Sequence, residues 1–281
     1  MIIGICGAGT MGRGIAIASL LVGHRVVFFD IHQGAVDSAV TYVKGQLAKS
    51  VEKGKMSAEA FASVVLDGGD DVGLLKDCDI IIEAVAEVLD IKHSLFQALE
   101  AAVSEECILT SNTSSISIAS IARTLQRPDR FAGLHFFNPA HIMKLVEVIR
   151  GPRTSQHTVD VCVEFAKDLG KTPVVAKDAP GFIVNRIARN YYNESQRIVM
   201  EGASTVETVD TLVKGLGFKM GPFELMDLIG VDVNLDVTKS QWQQFFLEPR
   251  FTPSLMQQQM VDAGLHGRKS GRGFYDYSPN E

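Results

Sequence analysis

The sequence predicts an α/β protein in which a doubly wound parallel sheet with an inserted helical arm precedes an all-helical domain. Three observations support this fold class. Apolar strand-like runs alternate with helical stretches through residues 1–179, a polar helix-forming stretch interrupts them at about residues 35–62, and residues 180–281 carry amphipathic helical patterns without convincing strands. Because 281 residues exceed the size at which one hydrophobic core usually keeps growing, two domains with these boundaries are expected.

The composition, with 46% apolar and 21% charged residues, is that of an ordinary globular protein. A formal net charge of -6 argues against general attraction to nucleic acid or anionic membranes, because both require a basic surface. No apolar run approaches the roughly 18 residues of a membrane span. Met1–Cys6 already has the pattern of a buried strand, which leaves no room for a targeting segment. We therefore expect a cytoplasmic protein.

The four cysteines are far apart in the sequence and form neither a metal-ligand pair nor a redox dithiol motif. They are predicted to be buried, small apolar residues: Cys6, Cys78, Cys107 and Cys162. No metal site is expected.

A glycine fingerprint follows the first apolar strand and opens a helix. Gly7, Gly9 and Gly12 have the G-x-G-x-x-G spacing, in which the glycines allow a tight turn, close approach of a pyrophosphate, and helix–strand packing. A second strand, Arg25–Phe29, ends at Asp30, at the expected distance of about 20 residues. A carboxylate there accepts ribose hydroxyls and repels a 2′-phosphate, which favours NAD over NADP. The alternative is that Asp30 only caps the next helix.

The alternation continues with strand-like runs at Asp79–Glu83 and Cys107–Thr110, separated by a helical stretch. In a parallel doubly wound sheet the ligand binds at the carboxyl ends of the strands, near the point where strand order reverses. Glu83, Glu87 and Asn112 all follow or end strands there, so this edge is the expected ligand site.

The predicted arm, Ala35–Ala62, is longer than a usual crossover and contains Lys44, Lys49, Lys53 and Lys55. These lysines could contact the phosphates of a bulky substrate such as coenzyme A. They could equally form a solvated helix face.

Two strand-like segments, Leu134–Pro139 and Lys144–Ile149, could form a hairpin centred near His141. Such a hairpin would place His135 opposite Glu147. The imidazole could then take a hydroxyl proton as hydride leaves the neighbouring carbon, and the carboxylate would orient the ring. A lone histidine is more often structural, so both interpretations stay open from spacing alone.

Small polar residues at Ser111–Ser115 follow a strand and exceed what one helix cap requires, so one of them is expected to contact a ligand. A Pro-Gly break at Asp178–Phe182 marks the predicted domain boundary and precedes a helix. Asn185 lies in the first turns of that helix. It could face a substrate cleft or be an ordinary surface asparagine.

With these residues identified, nearly the whole chain resembles the 3-hydroxyacyl-CoA dehydrogenase family, particularly its single-function bacterial 3-hydroxybutyryl-CoA branch. Six motifs in order carry the resemblance: GAGTMGRGIA at 7–16, SNTSS at 111–115, HFFNPAHIMKLVEV at 135–148, DAPGFIVNR at 178–186, GPFELMDLIGVD at 221–232 and GRKSGRGFYDY at 267–277. Together they are far more specific than the glycine fingerprint alone.

The resemblance implies a Rossmann-type first domain and NAD-dependent oxidation of short-chain (S)-3-hydroxyacyl-CoA to 3-oxoacyl-CoA, with the reverse reduction, in fatty acid and butanoate metabolism. It implies His135 as catalytic base and Glu147 as its partner. Ser114 and Asn185 would bind substrate near the reacting carbon. The implied NAD contacts are Gly7, Gly9, Thr10, Met11, Gly12, Asp30, Glu87, Lys92, Ser114, Asn138 and Lys269. Lys49 and Lys53 would hold the CoA moiety, and the C-terminal domain would form a homodimer.

Other functions stay open at this stage. A 3-hydroxyadipyl-type substrate fits the same motifs, and gulonate-type sugar-acid dehydrogenases can keep the same His-Glu pair. A 6-phosphogluconate-type enzyme would need a lysine one helical turn before Asn185, where Gly181 stands. A non-catalytic NAD-binding protein would also keep the fold, but the intact pair of His135 and Glu147 argues against it.

Overall fold

The structure is a computed structural model that describes residues 1–278. The chain divides into two compact units, Met1–Phe182 and Ile183–Glu281. This division falls a few residues after the boundary predicted from the Pro-Gly break.

An eight-stranded sheet forms the centre of the first unit, in the order β3-β2-β1-β4-β5-β6-β7-β8. The strands are β1 (Ile2–Cys6), β2 (Arg25–Phe29), β3 (Leu66–Gly69), β4 (Ile80–Glu83), β5 (Ile108–Ser111), β6 (Phe131–Phe136), β7 (Leu145–Arg150) and β8 (Thr172–Lys177). All neighbouring strands are parallel except β6 and β7, which form the antiparallel hairpin. The predicted doubly wound sheet is confirmed, whereas the edge strands β3 and β8 were not predicted.

Helices cover both faces of this sheet. They are α1 (Thr10–Leu21), α2 (Gln33–Glu52), α3 (Ala58–Ala62), α4 (Leu89–Ala102), α5 (Ile118–Ala122) and α6 (Gln156–Asp168). Successive strand residues belong to opposite cores: Ile80 and Ile82 pack with α1, α2 and α6, while Ile81 packs with α4 and α5. Burial on both faces explains why the central strands are continuous apolar runs in the sequence.

The predicted arm corresponds to α2 and α3. Helix α2 buries Val36, Ala39, Val43 and Leu47, whose helical spacing forms one apolar face against the first core. The lysines of this helix, Lys44 and Lys49, lie outside the buried face and are exposed.

All four cysteines are buried and free, as predicted. Burial raises the pKa of Cys78, Cys107 and Cys162 to about 12. Their thiols are therefore kept protonated and unreactive. Among residues 1–278, no cluster of His, Cys, Asp or Glu has the grouping of a metal site.

The second unit is helical, as predicted. It contains α7 (Val184–Met200), α8 (Val206–Gly215), α9 (Pro222–Ile229), α10 (Val231–Gln244) and α11 (Leu255–Asp262). Tyr192, Val209, Phe223 and Met226 form its apolar core. Within its described part, extended pairing is limited to two isolated bridges at Arg272. No helix of the described chain has the length and apolarity needed to span a bilayer.

The glycine fingerprint adopts the predicted strand–turn–helix geometry. Gly7 has φ +106°, a conformation that other residues rarely adopt, and it lies against the backbone of Ala84. A Cβ on Gly12 would overlap the carbonyl oxygen of Gly7, whereas a Cβ on Gly9 would meet nothing within 4 Å. Gly12 is therefore required for packing, and Gly9 leaves open space above the turn.

These contacts predict different stabilities for two alanine substitutions. Gly12→Ala should lower the free energy of unfolding by about 1–3 kcal/mol or more, because the methyl group overlaps backbone that cannot move aside. Gly9→Ala, which has no neighbour to displace, should unfold like the wild type within about 1 kcal/mol. Urea denaturation followed by circular dichroism checks both. Equal destabilisation by the two substitutions would contradict the packing role of Gly12.

Candidate active site

A cleft of about 870 Å³ lies at the carboxyl ends of β1, β2 and β4. Its lining includes Gly7 and Gly9 after β1, Asp30 after β2, and Ala84–Ala86 after β4. Apolar side chains from α4, including Ile91, complete one wall. Because β1 and β4 are the neighbours at which strand order reverses, the cleft is at the position where doubly wound sheets bind dinucleotides.

Asp30 is held in this cleft by two backbone amides. Its Oδ2 accepts a hydrogen bond from the Ala8 amide at 2.9 Å, and its Oδ1 accepts one from the His32 amide at 3.1 Å. The first helical turn of α2 receives no side-chain cap from its N-cap residue His32. The carboxylate thus ties the second strand to the glycine turn instead of capping the first turn of α2. Asp70 and Asp71 line the same cleft and add further negative charge.

These residues fit NAD. The open space above Gly9 admits a pyrophosphate close to the backbone, and the N-terminus of α1 directs amides toward it. The carboxylates of Asp30, Asp70 and Asp71 disfavour the additional phosphate of NADP. Thr10 and Met11 are the first two residues of α1, next to the turn.

His135 and Glu147 form a buried dyad across the β6–β7 hairpin. The antiparallel register pairs the two residues directly, as the sequence predicted. His135 Nδ1 lies 2.8 Å from Glu147 Oε2, and the side chains are 7% and 1% exposed. An ionised carboxylate can only accept, so Nδ1 donates this hydrogen bond and Nε2 is the ring nitrogen that can take a proton. Phe137 and Phe182 pack against the imidazole, with ring centroids 4.5 and 5.9 Å away.

The serine-rich loop after β5 is organised by the carboxylate of Glu87. Its Oε1 accepts hydrogen bonds from Thr113 Oγ1 at 2.5 Å, from the amides of Ser114 and Ser115 at 3.2 Å, and from Ser115 Oγ at 2.9 Å. Ser114 thus contributes its backbone amide to this network. Asn112 links the same loop to the dyad strand, because its Oδ1 accepts from the Phe136 amide at 2.8 Å.

The buried ammonium of Lys92 forms ion pairs with both Glu83 and Glu87. Lys92 Nζ lies 2.6 Å from Glu83 Oε1 and 3.1 Å from Glu87 Oε2, and its side chain is 1% exposed. The other oxygen of Glu83 accepts from Ser111 Oγ at 2.5 Å. The sequence placed Glu83 at the edge of the sheet where the ligand is expected, but did not assign it a partner. A carboxylate closing the run Ile80–Ile82 was the signal that it needed a buried cation.

Three further residues predicted for the site are exposed on the first unit: Lys49, Lys53 and Asn138. Asn138 is exposed in the hairpin turn, and that turn is anchored by Lys171, whose Nζ donates to the carbonyl groups of Ala140 and Met143 at 2.7 and 2.9 Å. Lys49 and Lys53 are exposed at the end of α2.

Two predicted residues belong to the second unit. Asn185 is the second residue of α7 and is half-buried. Lys269 donates a 2.6 Å hydrogen bond to Asp232 while remaining 47% exposed. The assignment of Asn185 to substrate and of Lys269 to NAD stays a prediction.

Two family models together match almost the whole chain. The 3-hydroxyacyl-CoA dehydrogenase NAD binding domain matches residues 2–179, and the C-terminal domain of the same family matches residues 181–277. These matches correspond to the sheet unit with its cleft and to the helical unit.

Individual proteins agree with the family match. The chain is 44% identical over 278 residues to the 3-hydroxyadipyl-CoA dehydrogenase of Escherichia coli, covering 98% of this chain and 58% of that enzyme. It is 42% identical to a probable 3-hydroxybutyryl-CoA dehydrogenase of Deinococcus radiodurans, covering 98% and 99%. The crystal structure of (S)-3-hydroxybutyryl-CoA dehydrogenase from Ralstonia eutropha superposes with a TM-score of 0.94 at 41% identity, covering 99% of both chains. The chain belongs to the 3-hydroxyacyl-CoA dehydrogenase family.

Proposed function

We propose that this protein interconverts (S)-3-hydroxyacyl-CoA and 3-oxoacyl-CoA with NAD, and that its substrates are short-chain thioesters of the 3-hydroxybutyryl type. The observation that carries the proposal is the buried pair of His135 and Glu147, in a sheet that also carries a cleft fitting NAD at the carboxyl ends of β1, β2 and β4. A non-catalytic NAD-binding protein would have no need to bury a titratable imidazole with a carboxylate. The names of the relatives from Deinococcus and Ralstonia support the short acyl chain.

In the proposed mechanism, NAD supplies the acceptor for the hydride that leaves carbon 3 of the substrate. His135 Nε2 takes the hydroxyl proton as the carbonyl forms, and returns it when the 3-oxo group is reduced. Glu147 holds the ring through Nδ1 and offsets the positive charge of the imidazolium. Burial strengthens this interaction, because little water screens it.

The roles of the other residues follow from their positions and the family resemblance. We assign Ser114 and Asn185 to substrate, and Lys49 and Lys53 to the CoA phosphates. Glu87, with Asn138 and Lys269, is assigned to NAD. The buried, free thiols also fit a reducing compartment such as the cytoplasm.

A 3-hydroxyadipyl-type substrate is the second candidate, because the relative from Escherichia coli carries that name at 44% identity. The two candidates differ in whether the acyl chain ends in a methyl group or a carboxylate. Comparing thioesters that differ only at the end of the acyl chain therefore distinguishes the two candidates.

NADH oxidation should be fastest with acetoacetyl-CoA and at least about tenfold slower, in kcat/KM, with 3-oxoadipyl-CoA. Free acetoacetate should not react, because it lacks the CoA moiety that the exposed lysines of α2 are proposed to contact. NADPH should replace NADH poorly. Preference for the dicarboxylic thioester would favour the second candidate, and activity on free acids alone would indicate a sugar-acid type of enzyme.

Replacing the proposed base should separate chemistry from binding. His135→Gln is expected to lower kcat by at least about 100-fold while leaving NADH affinity close to that of the wild type. Steady-state kinetics and NADH fluorescence titration measure the two quantities. His157→Gln, at an exposed position of α6, is the matched control and should change neither. Turnover retained by His135→Gln would exclude this residue as the base.

We further propose a homodimer formed through the second unit. That unit exposes large apolar side chains, including Phe246 at 94%, Leu216 at 73% and Ile187 at 67%. Phe246 and Leu247 also have φ of 53° and 66°, which is unusual for residues other than glycine. A strained turn that presents an apolar ring to water is explained if a second copy covers the ring.

Phe246→Glu should therefore produce a monomer, because a charge would be buried without a partner at the interface. Size-exclusion chromatography with light scattering gives the mass directly, and the wild type should be a dimer. Val22→Glu, at an exposed apolar position of the first unit, is the control and should remain dimeric. A dimeric Phe246→Glu would place the interface elsewhere.

A further inference from the structure

The hairpin turn, residues 137–144, connects the two strands of the dyad and is held by one lysine from outside the hairpin. Lys171 Nζ donates to the carbonyl groups of Ala140 and Met143 at 2.7 and 2.9 Å. We propose that Lys171 is a positioning residue for the reaction, because the turn that it holds carries Asn138, which is assigned to NAD. The proposal rests on the proposed function, since it presupposes that NADH is the reductant.

The environment of Lys171 differs from that of an ordinary surface lysine. Its side chain is half-buried, and burial lowers the pKa of its ammonium. Within the described chain, no carboxylate forms an ion pair with it, and its ammonium donates to the two carbonyl groups of the turn. Taking an ammonium partly out of water without a counter-ion costs free energy, which charge-assisted hydrogen bonds to carbonyl groups offset. The contact with the turn therefore accounts for the position of this charge.

Hydrogen bonds within the turn connect the ammonium to the backbone next to Asn138. Lys171 holds the Met143 carbonyl. The amides of Ile142 and Met143 both donate to the Pro139 carbonyl at 2.9 Å, and Pro139 directly follows Asn138. Because the Asn138 side chain is exposed, the conformation of the turn, and not side-chain packing, determines its position. Holding the Met143 carbonyl therefore holds Asn138.

Two further contacts attach the turn without the ammonium of Lys171. The Ala140 side chain is buried against α1, where a Cβ on Gly14 would lie 3.1 Å from the Ala140 Cβ. The Thr172 amide donates to the Lys144 carbonyl at 2.7 Å. Loss of the ammonium should therefore leave the hairpin folded while its turn gains freedom to move. The expected defect is one of position, and it can be measured on folded enzyme.

Lys171→Met removes the ammonium but keeps the aliphatic stem. The KM for NADH should rise about tenfold, as expected when one hydrogen bond to the cofactor is lost, and the KM for acetoacetyl-CoA should change by less than about threefold. Steady-state kinetics, with each substrate varied while the other is saturating, measure both constants. A purely structural role would instead lower the fraction of active enzyme, and thus kcat, without changing either KM.

Two variants serve as rescue and control. Lys171→Arg keeps the positive charge and its hydrogen-bond donors, so its KM for NADH should lie within about threefold of the wild-type value. Lys167→Met makes the same chemical change as Lys171→Met at a 56% exposed position, where the ammonium pairs with Glu164. Both of its KM values should equal those of the wild type.

A double-mutant cycle with Asn138→Ala tests whether Lys171 acts through Asn138. In the Asn138→Ala background, Lys171→Met should change the KM for NADH by less than about twofold, because the side chain that it positions is already gone. A further tenfold rise in the double variant would show that the two residues act independently, and would overturn the proposal.

A wild-type KM for NADH in Lys171→Met would also overturn the proposal, as would a raised KM that Lys171→Arg does not restore. If circular dichroism shows that Lys171→Met does not fold, Lys171→Gln replaces it, because its amide removes the charge but keeps a neutral donor, and its KM for NADH should rise. Failure of the wild type to oxidise NADH with acetoacetyl-CoA would instead overturn the proposed function.

Discussion

Burial of the sheet on both faces is the constraint from which the site follows. Side chains along the central strands, β1, β2, β4, β5 and β6, pack into one of two apolar cores, so these strands have little room for exposed polar groups. Polar residues accumulate where strands end, and parallel strands end at the same edge. Asp30, Glu83 and Ser111 are each at or just after the end of such a strand. The fold therefore concentrates a cofactor cleft, a carboxylate network and a serine loop at one edge of the sheet.

Much of this arrangement was predictable because it depends on local patterns. The glycine fingerprint specifies a turn of a few residues, and Asp30 follows from the length of one helix and one strand. The pairing of His135 with Glu147 was predictable because a hairpin fixes its own register: alternating side chains and a short turn leave few ways to align the two strands. The helical nature of the second unit likewise followed from amphipathic patterns.

The features that were missed depend on contacts that no local pattern encodes. Strand β3 has the sequence Leu-Asp-Gly-Gly and pairs with β2 at the edge of the sheet, so its extended form is imposed by its neighbour and not by propensity. The contact of Lys171 with the hairpin turn joins residues about thirty positions apart. Lys92 lies on a helix where a lysine ordinarily faces water, and only the packing of α4 reveals that it meets Glu83 and Glu87.

The buried carboxylates of Glu147 and Glu83 show that the side chain paired with a buried carboxylate determines what that carboxylate can do. Glu147 is paired with an imidazole, whose second ring nitrogen can accept or donate a proton, so this pair can exchange a proton with substrate. Glu83 is paired with a lysine side chain, whose ammonium donates hydrogen bonds and has no acceptor. The first pair is suited to chemistry, and the second is suited to holding neighbouring residues such as Ser111 in place. Both are hydrogen-bonded and nearly inaccessible, so burial alone does not distinguish a catalytic carboxylate from a positioning one. The chemistry of the partner side chain does.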